Sequence, residues 1–357
     1  MNTENTDLLS CWSREFFHRP ALVTEVLAIF APLFGENPSN GEDGKNHSSD
    51  DIHDIHDIHG SDGSDDKKSP VWIVDATLGG GGHSAALLQQ FPSCRALGID
   101  KDKQSIRAAG SRLAPFGERV RLVQSDFRNM TRVVAEQGLS SVHGILLDLG
   151  VSSPQLDWAD RGFSFRQEAP IDMRMDTCSP LRGSDVVNEY DFAELERVIR
   201  EYGEERFARR IARSIVRHRE HTPILTTTAL GEIVKDAIPA ATRRTGPHPA
   251  RRTFQAIRIE VNDELGALQD VLHRGFALLA PGGRMAVISY HSLEDRAVKR
   301  FFLSKCRPAE HPRGMPVEDL VPPAMRCLTR KPVCPSAEET EKNPRVVSAK
   351  LRAGEKV

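Results

Sequence analysis

The stretch "VWIVDATLGGGGHS", residues 71–84, places four consecutive glycines between an apolar run ending in Asp75 and a segment with helical patterning. "VWIVD" reads as a buried strand and "HSAALLQQF" as a helix, so the glycines fall on a strand-to-helix turn. Each glycine costs backbone entropy, and four exceed what a turn requires. Backbone this bare lets a ligand come close. "GGGHSA", from Gly80 to Ala85, satisfies G-x-G-x-x-A, the permissive dinucleotide pattern, and Asp100 ends the next strand, where ribose hydroxyls would sit. On that pattern alone an NAD-linked Rossmann oxidoreductase stays open. Asp75 separates the readings, because a carboxylate just ahead of the loop disfavours a dianionic pyrophosphate. It suits a phosphate-free ligand with an amino group and a positive sulfur. S-adenosylmethionine is such a ligand, with its ribose on Asp100 and its adenine flanked by Asp126 and Phe127 at the tip of the third strand.

Outward from the loop the chain alternates strand and helix. "CRALGID" (94–100), "VRLVQSDF" (120–127) and "GILLDLG" (144–150) read as strands, with "KQSIRAAGSRL" as a helix. After "GVSSPQLD" the alternation stops, and the segment to about residue 250 is helical and rich in arginine. Arg206, Arg209, Arg210, Arg213 and Arg217 recur at helical spacing in "EERFARRIARSIVRHR", a face suited to phosphates or simply to solvent. "TTTALGEIVKDAI" starts on a threonine cap. A single long helix is expected over "TFQAIRIEVNDELGALQDVLHRGFALL", then a strand "RMAVISY" (284–290), then a helix whose start at Ser292 and Asp295 fits a capping box. The expected organisation is an N-terminal segment with a helix (1–34), a low-complexity acidic insertion (35–69), the first part of an α/β domain (70–158), a helical insertion (159–250), and the second part with a tail (251–357).

The loop after the fourth strand bears on the chemistry. Its "SSPQ" has the shape of the loop with which amino-methyltransferases hold an exocyclic NH2. An aromatic amine shares its lone pair with the ring, so the site must offer acceptors that draw the nitrogen toward sp3 geometry. Ser153 and the Pro154 carbonyl are the candidates. A covalent route through C5 of cytosine would need a reactive cysteine, and the nearest, Cys178, lies in the insertion away from any strand tip.

Composition narrows the partners. The 357 residues carry a net charge of −2, but residues 40–66 hold nine acids against Lys45 alone. Without them the 48 basic and 50 acidic residues become 47 and 41, a net of +6, compatible with nucleic acid. The repeat "DIHDIHDIH" in that segment buries too little apolar surface to fold, and His53, His56 and His59 read as solvated, with no metal expected. Six scattered cysteines without C-x-x-C spacing read as reduced thiols. No apolar run approaches a membrane span, so a soluble cytoplasmic protein is expected.

Taken together, "DATLGGGGHS", "GIDKD", "ILLDLGVSSPQLD", "RGFSF", "DMRMD", "YGEERFARRIARSIV", "RTFQAIRIEVNDEL", "LAPGGRMAVISYHSLEDRAVKRFF" and "NPRVVSAKLR" resemble the ribosomal RNA small subunit methyltransferase H (MraW) family, in family order from about His18 to Arg352. The resemblance implies a class I (Rossmann-like) S-adenosylmethionine-dependent methyltransferase fold with an inserted helical domain. It implies methylation of N4 of one cytidine in the decoding region of small-subunit (16S) rRNA, the partner being that rRNA or the ribosomal subunit, with no DNA and no membrane. Carried over by position, cofactor contacts fall on Gly81, Gly82, His83, Asp100, Phe127, Asp148 and Gln155. His83, Tyr290 and His291, at strand tips, are candidates to touch cofactor or RNA, the last two as readily structural. Three departures stand out: the acidic insertion, "DATLGG" where many members have "DGTFGR", and Glu260 at a position often aromatic. A non-catalytic rRNA-binding assembly factor is the remaining alternative, opposed by the intact loop and Asp100.

Overall fold

In the computed structural model, residues 20–36, 70–151, 159–243, 248–307 and 322–357 are described. The chain divides into two compact units. One comprises Arg19–Gly150 and Leu268–Val357, and the other contains Val151–Ala267, a longer span than the 159–250 read from sequence.

The first unit is built on one seven-stranded sheet. Its strands are β1 (Val71–Asp75), β2 (Cys94–Asp100), β3 (Val120–Gln124), β4 (Val142–Asp148), β5 (Leu279–Ser289), β6 (Met325–Cys327) and β7 (Lys350–Lys356). Their order across the sheet is β3-β2-β1-β4-β5-β7-β6. β3, β2, β1, β4 and β5 run parallel, and β7 is antiparallel to both its neighbours. This is the class I methyltransferase architecture. Parallel strands must be buried on both faces, and alternation within β1 shows how: Trp72 and Val74 join one apolar cluster, Ile73 the other. Helices α1 (Val23–Phe30), α2 (Gly82–Gln90) and α3 (Lys103–Leu113) supply Phe30, Leu87 and Leu113 to the second cluster. α4 (Met130–Glu136) supplies Met130 and Val133 to the first. A buried Phe or Leu contributes about 1.5–3 kcal/mol, whereas an exposed pair such as Lys342–Glu338 contributes at most about 1 kcal/mol. The core, not the surface charge, holds the sheet.

The second unit is helical: α5 (Gly183–Glu189), α6 (Phe192–Glu201), α7 (Ala208–Arg219), α8 (Thr227–Ala237) and α9 (Arg251–Asn262). Val186, Leu195, Ile199, Ile211, Ile215, Leu230, Phe254 and Ile257 form its core. Asp191 and Glu194 form a capping box on α6, and Thr226 caps α8.

Several sequence expectations change. The long helix is two, because Asp263 adopts φ 44° between α9 and α10 (Glu264–Leu278). Arg258 clasps Glu264 across the break with hydrogen bonds of 2.7 and 2.8 Å, and Asn262 accepts from Met175 N–H. β4 starts two residues earlier than read, and β3 stops at Gln124. Helix α11 (Ser292–Cys306) is capped by His291 and Glu294, not Ser292 and Asp295. Asp295 instead accepts from Arg352 at 2.7 Å. The thiols of Cys306 and Cys327 are joined as a disulfide, with Cα atoms 5.9 Å apart, where reduced cysteines were expected. Their sequence separation of 21 hid a pairing that the antiparallel β6 creates. Among the described residues no helix is long and apolar enough to cross a membrane.

Candidate functional site

Three carboxylates end three adjacent strands of the sheet: Asp100 on β2, Asp75 on β1 and Asp148 on β4. Ligands bind at the carboxyl ends of strands in open α/β sheets, so this edge is where the chemistry belongs. The turn after β1 is clamped there by its neighbours. Ala76 N–H donates to Leu146 O on β4, Leu78 N–H to Ile99 O on β2, and the Asp148 N–H to Thr77 Oγ1. The glycines divide the work that follows. Gly79 adopts φ +50°, and a side chain there would meet nothing closer than Thr77 O at 3.9 Å, so its exposed side faces open space. Gly81, at φ +72°, is instead packed so that a Cβ would lie 3.1 Å from Leu113 and 3.2 Å from Ala109 of α3. Gly82 likewise has Pro20 and Arg112 against it. Of the residues implied by the resemblance, Gly81 and Gly82 therefore close the turn onto α3 and Pro20, and Gly79 leaves the gap.

Each acid is held differently. Asp100 accepts Gly79 N–H on Oδ2 and Asp102 N–H on Oδ1, both at 2.8 Å, which leaves each oxygen one further acceptor direction. Two acceptors side by side match a vicinal diol. Burial pushes its carboxyl up to about 6, against those two N–H bonds. Asp75 is 2% exposed; its Oδ2 accepts from Ser84 Oγ at 2.7 Å, and its Oδ1 has no hydrogen-bond partner among the described residues. A buried orphan oxygen costs about 1–3 kcal/mol. Burial raises this carboxyl too. Asp148, also raised to about 6 by burial, accepts from the Tyr290 hydroxyl at 2.9 Å on Oδ1 and faces His83 Nδ1 at 3.7 Å with Oδ2.

His83 bridges Asp148 to the chain's N-terminal side. Its Nε2 lies 2.9 Å from Ala21 O, and a carbonyl only accepts, so that nitrogen carries a proton. The Nδ1–Asp148 contact is then attractive only while another proton lies on one of the two groups, or a cation stands beside them. Three acids and one imidazole make this edge a receptor for positive charge. A phosphate about 5 Å from one such ionised carboxylate would cost about 3 kcal/mol at an effective dielectric of 20, which counts against a pyrophosphate ligand. Phe127, half-buried, begins the turn after β3 and packs against the core. Asp126, read as flanking the adenine with Phe127, caps that turn by accepting from Arg128 N–H at 2.8 Å on Oδ1.

Other sequence candidates fall elsewhere. Ser153, Pro154 and Gln155 lie outside the described residues. His291 is engaged in capping α11, its Nδ1 3.4 Å from Glu294 N and its Nε2 3.2 Å from Glu294 Oε1, and its side chain is 10% exposed. The helix N-terminus directly after β5 imposes this cap on the residue read as an RNA contact. In the helical unit Arg209, Arg210, Arg213 and Arg217 share the exposed side of α7 opposite Ile211 and Ile215. Among the described residues none of the four side chains is in an ion pair. Arg206 precedes the helix and lies over the Phe207 ring at 4.6 Å. Cys178 is exposed on a turn, its N–H on Asp176. Glu260, the departure from an aromatic, accepts from the Tyr190 hydroxyl at 2.9 Å and pairs with Arg197 at 3.3 Å, so polar partners replace ring packing. Ser84 and Thr77 were not singled out from the sequence, and Tyr290, a strand-tip candidate for cofactor or RNA, is found bonded to Asp148.

Comparison with known proteins places these features in a family. The sequence profile described as the MraW methylase family matches residues 15–357. The ribosomal RNA small subunit methyltransferase H of Heliobacterium modesticaldum is 53% identical over 287 residues, covering 80% of this chain and 92% of its own. That of Symbiobacterium thermophilum is 53% identical over 282 residues, 78% and 89% of the two chains. The protein of the same name from Thermobifida fusca is 49% identical over 286 residues, 79% and 86%. A solved rRNA methylase from Streptococcus thermophilus is matched at 11% identity with a TM-score of 0.36, over 80% of this chain and 87% of its own, too slight a likeness to argue from.

Proposed function

Since the chain belongs to the MraW methylase family, we propose that it is an S-adenosylmethionine-dependent methyltransferase acting on small-subunit rRNA, and that the methyl acceptor is the exocyclic N4 of a cytidine in the decoding region. The observation that carries the cofactor assignment is the buried, unpartnered Asp75 Oδ1 beside Asp148, ahead of a glycine turn. Both carboxylates, when ionised, attract a cationic ligand and repel a phosphate.

When bound, the cofactor supplies a methyl group on a positively charged sulfur, so transfer is a direct displacement needing no enzyme nucleophile. The chain's residues bind and orient. Asp100 accepts the ribose hydroxyls on its two remaining acceptor directions, and Phe127 packs beside the adenine. Gly79 admits the ligand's backbone-facing edge. Gly81, Gly82 and His83 frame the methionine end with Asp148, and Gln155 is a further cofactor contact implied by the family. Ser153 and the Pro154 carbonyl accept hydrogen bonds from the target amine and draw its lone pair out of the ring. Methylation makes that amine acidic, so its proton leaves to water. The base must be single-stranded or turned out of its stack to be reached. The α7 arginines hold RNA phosphates, a role independent of base identity.

Thermal shift separates this reading from an NAD-linked enzyme. S-adenosylhomocysteine at about 100 times its dissociation constant adds about 2.7 kcal/mol of stability, and NADH adds nothing. Stabilisation by NADH without S-adenosylhomocysteine would overturn the proposal.

A further inference from the structure

We propose that Tyr290 is a positioning residue for the cofactor seat: its phenol O–H, donated to Asp148 Oδ1 at 2.9 Å, holds that carboxylate ionised and turned so that Oδ2 stays with His83 and the cationic end of the cofactor. The inference rests on the methyltransferase reading above and adds a residue to it. Tyr290 directly follows β5, which pairs with β4 in a register that sets Ile288 beside Asp148. Its ring packs with the cluster around Phe30 and Ile288. Its N–H donates to Glu294 Oε2 at 2.8 Å, a carboxylate 3% exposed. Backbone and ring are thus fixed independently of the hydroxyl. Among the described residues the hydroxyl's hydrogen bond is the one to Asp148.

The groups facing Asp148 come from four elements. His83 on α2 and the Tyr290 hydroxyl favour its ionised form, whereas burial, Asp75 on β1 and Glu294 on α11 oppose it. The balance leaves the carboxyl at about 6. Tyr290 itself is pushed well above the usual phenol value, first by burial and then by Asp148, so it stays a protonated donor across the working range. Among the described residues no other side chain gives Asp148 a hydrogen bond within 3.5 Å. Removing the O–H therefore moves the acid's titration upward, toward neutrality, while the ring still fills its place. A role in packing alone predicts no such movement.

The test is calorimetric binding of S-adenosylhomocysteine between pH 5.5 and 8.5 to the wild-type chain and to Tyr290→Phe, with melting temperatures measured alongside. Wild-type affinity should fall as pH drops through about 6. In Tyr290→Phe the fall should begin at higher pH, leaving binding at pH 7 about ten-fold weaker, the worth of one hydrogen bond to a charged group, and recovering toward wild type at pH 8.5. In an Asp148→Asn background, adding Tyr290→Phe should cost little more, as a double-mutant cycle requires of a shared interaction. A titration edge unmoved in Tyr290→Phe would overturn the inference while leaving the methyltransferase reading intact. So would a uniform loss of affinity at every pH that persists in the Asp148→Asn background. Failure of the wild type to bind S-adenosylhomocysteine at any pH would overturn both.

Discussion

Asp100 accepts two backbone N–H groups of its own chain, which fix its carboxylate and aim the two remaining acceptor directions. Asp100→Ala should weaken S-adenosylhomocysteine binding by about a hundred-fold, the loss of two hydrogen bonds to a charged acceptor, as read by calorimetry. Normal binding by that variant would remove Asp100 from the seat. Asp100 and Asp148 both sit at about 6 in the fold, above the ordinary carboxylate range. Between about pH 6 and pH 4 the folded chain therefore holds protons that the unfolded chain has released. The contribution of these two groups to stability is full below the unfolded value and lost as pH rises through about 6. Without ligand, replacing both by Asn should make the melting temperature less dependent on pH across that window. At this scale Asp75 and Asp100 were legible in the sequence, because each ends an apolar run. The Tyr290–Asp148 bond was not, since it spans 142 residues and depends on the pairing of β4 with β5.

On α7 the periodicity was legible and its limit was not. Ile211 and Ile215 face the core and the arginines face out, as a 3.6-residue repeat dictates. Arg206 fell off the helix because Glu205, buried at 6% exposure, accepts Phe207 N–H and delays the start to Ala208. The break at Asp263 was equally hidden, because both flanking segments carry helical patterning. Replacing Arg209 and Arg213 together by alanine should reduce the dependence of RNA affinity on salt by about two ion contacts, measured as the slope of log K against log salt. Stability should change by no more than about 1 kcal/mol, because both side chains are exposed and in no ion pair among the described residues. An unchanged slope would leave this face as solvated surface.

For the whole molecule, the sequence carried the alternation that builds a parallel sheet and the interruption that separates the helical unit. It did not carry the last two strands, since β6 is three residues long and β7 pairs antiparallel to its neighbours, outside the strand–helix alternation. The Cys306–Cys327 link depends on that late pairing. Closing a loop of this length contributes up to about 3 kcal/mol, so Cys306→Ser should lower the melting temperature under oxidising conditions and not under reducing ones. Membership of the MraW methylase family makes the chain a methyltransferase, and the acceptor atom is the claim that reaches furthest. It is tested most directly by incubating the purified chain with methyl-labelled S-adenosylmethionine and small ribosomal subunits from cells lacking its gene, then analysing the rRNA nucleosides by mass spectrometry. The account predicts label in N4-methylated cytidine mapping to the decoding region. Label in any other nucleoside, or N4-methylated cytidine already present at that site in the untreated subunits, would contradict it.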